Sequence, residues 1–252
     1  MAFDVAAEAY DRFMGRYSGP LAEELLEVAA AAPGQRVLDV GCGPGALTER
    51  LAAIVGPDAV AGVDPSASFV AAARMRLPRA DIRLASAEAL PFDDASFDGV
   101  YAHLVVQFIP DQPAGLAEMR RVARPGARVA VTAWDQTGRG PLAAYWAAAH
   151  AADAHVVDEL SMRGVREGEL AGLLREAGFV DVEAIALEVP VHHATFEEWW
   201  EPYTLGVGPA GGHFRASDPA TRDRIREEAR SALGDGPITL PGRAWGAIGA
   251  AP

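Results

Sequence analysis

The stretch VLDVGCGPGALT at residues 37–48 constrains the fold more than any other part of the chain. An apolar run, Val37 to Val40, meets glycines at 41, 43 and 45, and a helical pattern of apolar residues follows at once. Glycine tolerates positive φ and carries no side chain, so this punctuation reads as a strand, a tight turn and a helix whose N-terminus faces the turn. In a doubly wound sheet such a turn lies beyond the carboxyl end of the first strand, where ligands bind. Bare backbone there lets a bulky ligand lie against the main chain and the helix N-terminus; the alternative is a tight βα turn with no ligand.

The surrounding sequence alternates in the same way. Its spacing predicts strands over 36–40, 59–63, 82–85, 97–100 and 128–133, with helices over 46–55, 67–76 and 112–122. A helix over 21–32 precedes them and stops at Pro33 and Gly34. Short Val/Ile/Leu-rich strands between amphipathic helices are βαβ units, and right-handed crossovers build them into a parallel sheet covered on both faces. Beyond Trp134 the alternation loosens into helices over 141–152 and 167–177, a strand over 182–189, a charged helix around 218–232, and a last apolar stretch, RAWGAIGA, that returns to the sheet. Residues 190–240, with their clustered aromatics, read as an insertion over the strand ends.

The chain has 252 residues, half of them hydrophobic, which is enough for an extensive core. Lys plus Arg number 22 against 35 Asp plus Glu, a formal charge of -13, so nothing is left over to neutralise a phosphate backbone and no nucleic-acid partner is expected. The opening MAFDVAAEAYDRF carries Asp4, Glu8 and Asp11 where a secretory signal has a basic start and an apolar core. No apolar run approaches the roughly 20 residues of a membrane helix, and the lone Cys42 has no partner for an internal disulfide. The expectation is a cytoplasmic protein without membrane attachment.

Two cofactor classes compete for the glycine turn. Gly41, Gly43 and Ala46 satisfy a dinucleotide fingerprint, and Asp64 follows the second strand where a ribose-binding acid belongs. The discriminating residue is Asp39 on the first strand, with glycines two, four and six positions later.

VLDVGCGPG closely resembles motif I of the class I S-adenosylmethionine-dependent methyltransferases. The resemblance continues in AGVDPS, ASAEALPFDDASFDGV and RRVARPGARVAVTAW, which together cover residues 35–135 in the family's order. It is strongest to the branch of ubiquinone and menaquinone biosynthesis and other small-molecule enzymes. It implies one domain over 1–252: a doubly wound, mostly parallel seven-stranded α/β sheet, a cofactor-binding core over 35–135, an N-terminal helical lid over 1–20 and a substrate-side insertion. S-adenosylmethionine is the implied cofactor.

The resemblance also assigns residues. Asp39 and the backbone around Gly41, Cys42, Gly43 and Gly45 would hold the methionine moiety, with Ala102 and His103 bordering it. Asp64, beside Pro65 and Ser66, would accept from the ribose hydroxyls, or else cap the following helix. Ser86, Ala87 and Glu88 would flank the adenine, although Ser86 replaces the family's usual acid. The segment AAEAYDRFMGRYS would fold over the cofactor through Tyr10, Met14, Arg16 and Tyr17, with Arg16 meeting the methionine carboxylate; spacings of three and four equally suit helix packing.

In-line methyl transfer needs chiefly alignment in a dry pocket, and a base only where the acceptor must lose a proton. His103 is the candidate base because it alone lies within the motif frame, with His192, His193 and His213 as the other histidines considered; any of them can instead be a surface or packing residue. Gln107 stands where many relatives carry histidine. Tyr17, Gln107, His192, Trp199 and Tyr203 are the candidate substrate contacts, the aromatics being equally suited to the core. Since successive strand residues face opposite sides, only one of His192 and His193 can point inward. No cluster has metal-ligand spacing, so no metal is expected. The reading is methyl transfer to O, N or C of a small molecule. The alternatives are an NAD-dependent oxidoreductase and a non-catalytic cofactor-binding module.

Overall fold

The computed structural model describes residues 7–153 and 155–252; the first six residues of the expected lid lie outside them. A seven-stranded sheet runs through the molecule in the order β3-β2-β1-β4-β5-β7-β6. Strands β1 (Val37–Val40), β2 (Val60–Asp64), β3 (Asp81–Leu84), β4 (Phe97–Ala102) and β5 (Ala123–Trp134) pair in parallel. β7 (Ile238–Ala250) inserts antiparallel between β5 and the long edge strand β6 (Val180–His193).

β1 is central because it can be nothing else: all four of its residues are buried, so both faces must be covered. Val37, Tyr101, Ala130 and Trp134 face the layer that includes α2 (Arg16–Ala29), α3 (Ala46–Val55) and α6 (Ala143–Ala152). Leu38, Val40, Val100 and Val129 face the layer of α5 (Gln112–Val122) and α7 (Glu169–Glu176). α4 (Ala67–Arg76) closes the β3 end through Val70 and Ala73 on Ile82.

The helix boundaries of α3, α4 and α5 coincide with the expected ones because their ends carry local signals. Gly45 in the left-handed region opens α3, the Ser66 hydroxyl accepts from Phe69 N–H at the start of α4, and Asp111 caps α5 through Ala114 N–H. α2 departs from expectation by starting at Arg16, five residues early. Pro20 sits inside it, and the preceding turn, Asp11–Gly15, is a π-helix after the short α1 (Ala7–Tyr10). A proline removes an N–H and crowds the turn before it, and the π turn adjoins α2 on that side. Leu21 and Leu25 of α2 are fully buried, each worth about 1.5–3 kcal/mol of apolar transfer.

The expected insertion is shorter than 190–240, since 190–193 belong to β6 and 238–240 to β7. What lies between is helical: α8 (Phe196–Trp200), a 3₁₀ turn (Glu201–Leu205), α9 (Gly208–Ala216) and α10 (Pro219–Leu233). This excursion packs over the N-terminal segment, with Phe13 edge-on to Tyr203 at 4.8 Å.

Candidate functional site

Gly41, Gly43 and Gly45 take φ of 71°, 53° and 104°, a geometry closed to most side chains. Gly41 is also required by contact, for a Cβ there would stand 2.4 Å from Val105 Cγ2. A Cβ on Gly43 would meet nothing within 4 Å, so that backbone borders open space. Gly45 faces Leu77 and Ala73 instead; it shapes the start of α3 without lining the crevice.

The turn's N–H groups are already engaged, which corrects the expectation that they donate to a ligand. Gly41 and Cys42 N–H both donate to Val63 O (2.8 and 2.9 Å), Gly43 N–H to Asp64 Oδ2 (2.9 Å) and Gly45 N–H to Cys42 O (3.0 Å). The turn therefore offers bare, carbonyl-bearing backbone rather than an anion nest.

Beside it lies a hollow of about 30 Å³, walled by Tyr10, Ser18, Asp39, Cys42, His103 and Leu104 among others. That is space for one or two waters. Asp39 is 1% exposed; its Oδ2 accepts from Thr48 Oγ1 at 2.6 Å, while Oδ1 has no partner. Burial pushes this carboxyl up to about 7 against the Thr48 hydrogen bond, and the charge of Asp64 adds to the rise. Ser18 Oγ, on the facing wall, is likewise buried without a partner. Unpaired buried polar atoms cost about 1–3 kcal/mol each, so two of them around one hollow mark a place shaped for a polar ligand group.

Asp64 ends β2 and accepts from the N–H groups of Gly43 and Ser66 (2.9 and 2.8 Å); burial outweighs these bonds and raises its pKa. Each oxygen retains a lone pair. It is not the cap of α4, a role taken by Ser66, with exposed Pro65 between them. Cys42 donates its thiol to Gly43 O at 3.6 Å, and burial holds its pKa well above normal, so it is no thiolate nucleophile. Ser86, Ala87 and Glu88 form the turn after β3, half-buried, with Ser86 O accepting from Ala89 N–H. Glu88 reaches across to Asp111 N–H at 3.4 Å.

His103, the expected base, borders the hollow with both ring nitrogens engaged. Ser18 O can only accept, so the neutral ring carries its proton on Nε2 and donates it there (3.1 Å), and Nδ1 accepts from the Thr132 hydroxyl (3.0 Å), whose oxygen also accepts from Leu104 N–H. Burial pushes its pKa down to about 4. The ring is neutral and fastens β4 and β5 to α2; no lone pair is left for an acceptor's proton. Ala102, at the end of β4, is fully buried and contributes only main chain.

Several expected contacts lie elsewhere. Arg16 turns away from the hollow to His193 Nδ1 (2.8 Å) and Glu198 (3.1 Å). Tyr17 is buried, its hydroxyl on His193 Nε2 (2.9 Å) and its ring edge-on to Trp134. Of the histidine pair, His192 is the outward residue, held to Thr239 on β7, and His193 the inward one; the register of β6 places them opposite to the expectation for His192. Trp199 and Tyr203 are core, each 2% exposed, packed on each other and on Trp200. Gln107 is buried in the turn after β4 and donates to Leu104 O. His213 is tied to the Tyr145 hydroxyl at 2.7 Å. Tyr10 lies over Phe69 at 5.2 Å and closes the hollow from the N-terminal side, with Met14 buried behind it in the core. Among the described residues no three His, Cys, Asp or Glu side chains converge for a metal, and no helix is long and apolar enough to cross a membrane.

Comparison with known proteins fits this geometry. A methyltransferase-domain family model matches residues 38–131. Nocamycin O-methyltransferase of Saccharothrix syringae is 31% identical over 227 residues, covering 79% of this chain and 80% of that protein. The chain belongs to the S-adenosylmethionine-dependent methyltransferase family. Malonyl-[acyl-carrier protein] O-methyltransferase of Erwinia billingiae is 35% identical over 147 residues, 58% of this chain. The chain spans about half the length of the curated relatives at the head of the comparison, 57% of that enzyme and 48% of another. In fold, the chain superposes on a Thermotoga maritima S-adenosylmethionine-dependent methyltransferase described as a possible histamine N-methyltransferase, at a TM-score of 0.58 and 21% identity, covering 97% of this chain and 96% of that one. The matched residues 38–131 contain the glycine turn, Asp39, Asp64, the 86–88 turn and His103.

Proposed function

We propose that the protein transfers a methyl group from S-adenosylmethionine to a small-molecule acceptor, in the cytoplasm, without nucleic-acid or membrane partners. The observation that carries the reading is the unpartnered Oδ1 of buried Asp39 beside open backbone at Gly43. A carboxylate oxygen held there in a low-dielectric wall suits an ammonium and repels a phosphate, while the glycine turn's own amides are engaged and only the first N–H groups of α3 remain as donors beside the hollow. That favours an amino-acid moiety over the pyrophosphate of a dinucleotide, and so disfavours the NAD-dependent alternative.

When bound, S-adenosylmethionine supplies an electrophilic methyl on a sulfonium. The chain's contribution is to hold and to exclude. Asp39 and Ser18 would take the amino-acid end, Asp64 the two ribose hydroxyls through its free lone pairs, and the 86–88 turn the adenine edge. His103 positions α2 over the crevice and moves no proton. The hollow is too small for a nucleoside, so the segment from Ala7 to Gly15 must swing outward to admit one and return to exclude water. Its surface is held by ion pairs, Asp11–Arg76 (2.8 Å) and Arg12–Glu201 (3.0 Å), each worth no more than about 1 kcal/mol, and its inner side by buried Phe13 and Met14, whose apolar burial, about 1.5–3 kcal/mol each, is the larger part of the cost of opening.

Melting curves with S-adenosylhomocysteine and with NAD test the cofactor, because a ligand bound only by the folded state raises the melting temperature. A shift with the first and none with the second is expected, and the reverse refutes the reading. Methyl transfer from labelled S-adenosylmethionine across acceptor panels then separates an enzyme from a binding module.

A further inference from the structure

Among the described residues, four other than glycine have positive φ: Ala30, Ala95, Leu104 and Asp181. Three of them are exposed. Ala30 ends α2, Ala95 lies in a turn, and Asp181 lies at the irregularity where β6 begins to pair. Leu104, at φ 61°, is the largest of the four, is 5% exposed and forms part of the crevice wall. A Cβ makes this conformation costly, whereas glycine adopts it freely. A leucine held in it beside a ligand site points to a role for its side chain.

The residue is pinned on both sides. Leu104 N–H donates to Thr132 Oγ1 at 2.8 Å, and Leu104 O accepts from Gln107 Nε2 at 3.3 Å. Thr132, fully buried on β5, gives its own proton to His103 Nδ1 at 3.0 Å, so one hydroxyl orders two consecutive residues of the crevice wall. Ala102 is the last residue of β4 to pair with β5, opposite Val131. Two residues on, the left-handed turn brings Val105 onto Gly41, at the spot a Cβ there would occupy. The leucine side chain joins the apolar cluster that holds Tyr17 and Leu21 of α2, and it borders the hollow shared with Asp39 and Ser18.

This wall matches one part of the cofactor. Beyond its charged end, the amino-acid limb of S-adenosylmethionine is a short aliphatic chain leading to the sulfur, and an apolar surface suits it where Asp39 and Ser18 do not. We propose that Leu104 packs on that limb, and that Thr132 is a positioning residue for the methyl donor, acting by holding Leu104 in its left-handed conformation. The proposal rests on the crevice being the S-adenosylmethionine site. Thr132 touches neither ligand nor methyl group; its hydroxyl sets the backbone that carries the leucine.

Calorimetry on the full chain tests this, with S-adenosylhomocysteine and with adenosine, which lacks the amino-acid limb. Thr132→Val keeps the side-chain shape and removes the oxygen. S-adenosylhomocysteine should then bind at least about tenfold weaker, or about 1.4 kcal/mol, while adenosine affinity stays within about twofold and shows the variant folded. Thr132→Ser keeps the oxygen and should bind S-adenosylhomocysteine within about threefold of the parent. Leu104→Gly should also weaken S-adenosylhomocysteine. Glycine needs no pin at positive φ, so adding Thr132→Val to it should cost less than about a further twofold. A threonine acting only through His103 and Ser18 would instead give losses that multiply. Multiplying losses, a serine variant as weak as the valine, or adenosine affinity falling in step with S-adenosylhomocysteine would each overturn the proposal alone. A parent that binds neither ligand overturns the cofactor reading, and the proposal with it.

Discussion

Replacing Asp39 with Asn should make the free protein more stable and the cofactor complex weaker. The sign follows from burial. An acid whose pKa rises on folding contributes its full stability below the unfolded value, about 3.8, and loses it as pH climbs through the folded value, about 7. Each pH unit across that window costs about 1.4 kcal/mol, so carrying a buried carboxylate destabilises the protein by at most roughly 4 kcal/mol at alkaline pH. Asn keeps an oxygen for the Thr48 hydroxyl and carries no charge. Urea unfolding at about pH 4 should find the two proteins within about 1 kcal/mol; by about pH 8.5 the variant should lead by roughly 3–4 kcal/mol more, a midpoint difference on the order of 1 M. Glu159, raised to about 7 by burial, titrates in the same window but is common to both proteins and drops out of the difference. Calorimetry with S-adenosylhomocysteine should show the opposite sign, a loss of about 1.5–3 kcal/mol for removing a charged partner of the ammonium. A stability gap that does not change with pH, or an unchanged dissociation constant, would refute the argument.

Asp64→Ala should weaken S-adenosylhomocysteine binding by about 1–3 kcal/mol, since it removes an acceptor for both ribose hydroxyls; calorimetry with adenine as the comparison ligand checks that the loss belongs to the sugar. Gly41→Ala drives a Cβ into Val105 at positive φ and should destabilise by about 2–5 kcal/mol, measured by urea melts, with Val105→Ala restoring part of the loss. His103→Phe should leave the pH dependence of kcat without a missing limb, because a ring with a pKa near 4 and both nitrogens bonded is not the titrating base; disappearance of a limb between pH 5 and 8 from the profile would show that it is.

Much of this architecture was legible because its signals are local. The limits of α3, α4 and α5 follow from Gly45, Ser66 and Asp111 at their first turns. What escaped were facts about pairing. Nothing in GCGPG says that Val63 O and Asp64 already engage its amides, because the acceptors arrive from a neighbouring strand. The orientation of His192 and His193 depends on β6 register, which a run of alternating residues leaves open by one position. The early start of α2 went unread because Pro20 is a helix breaker by propensity, yet tertiary burial of Leu21 and Leu25 holds it within the helix.

The way α2 is fastened has a kinetic corollary. At its root, Tyr17 and Ser18 are bolted from below by two neutral imidazoles, His193 and His103, both sheltered from solvent. At the free end the π turn sets Asp11 and Arg12 in surface ion pairs with Arg76 and Glu201, beside the apolar contacts of Phe13 and Met14. Such a flap pivots about a stiff knuckle rather than melting, so nucleoside exchange should speed up with ionic strength while the scaffold beneath stays indifferent to it.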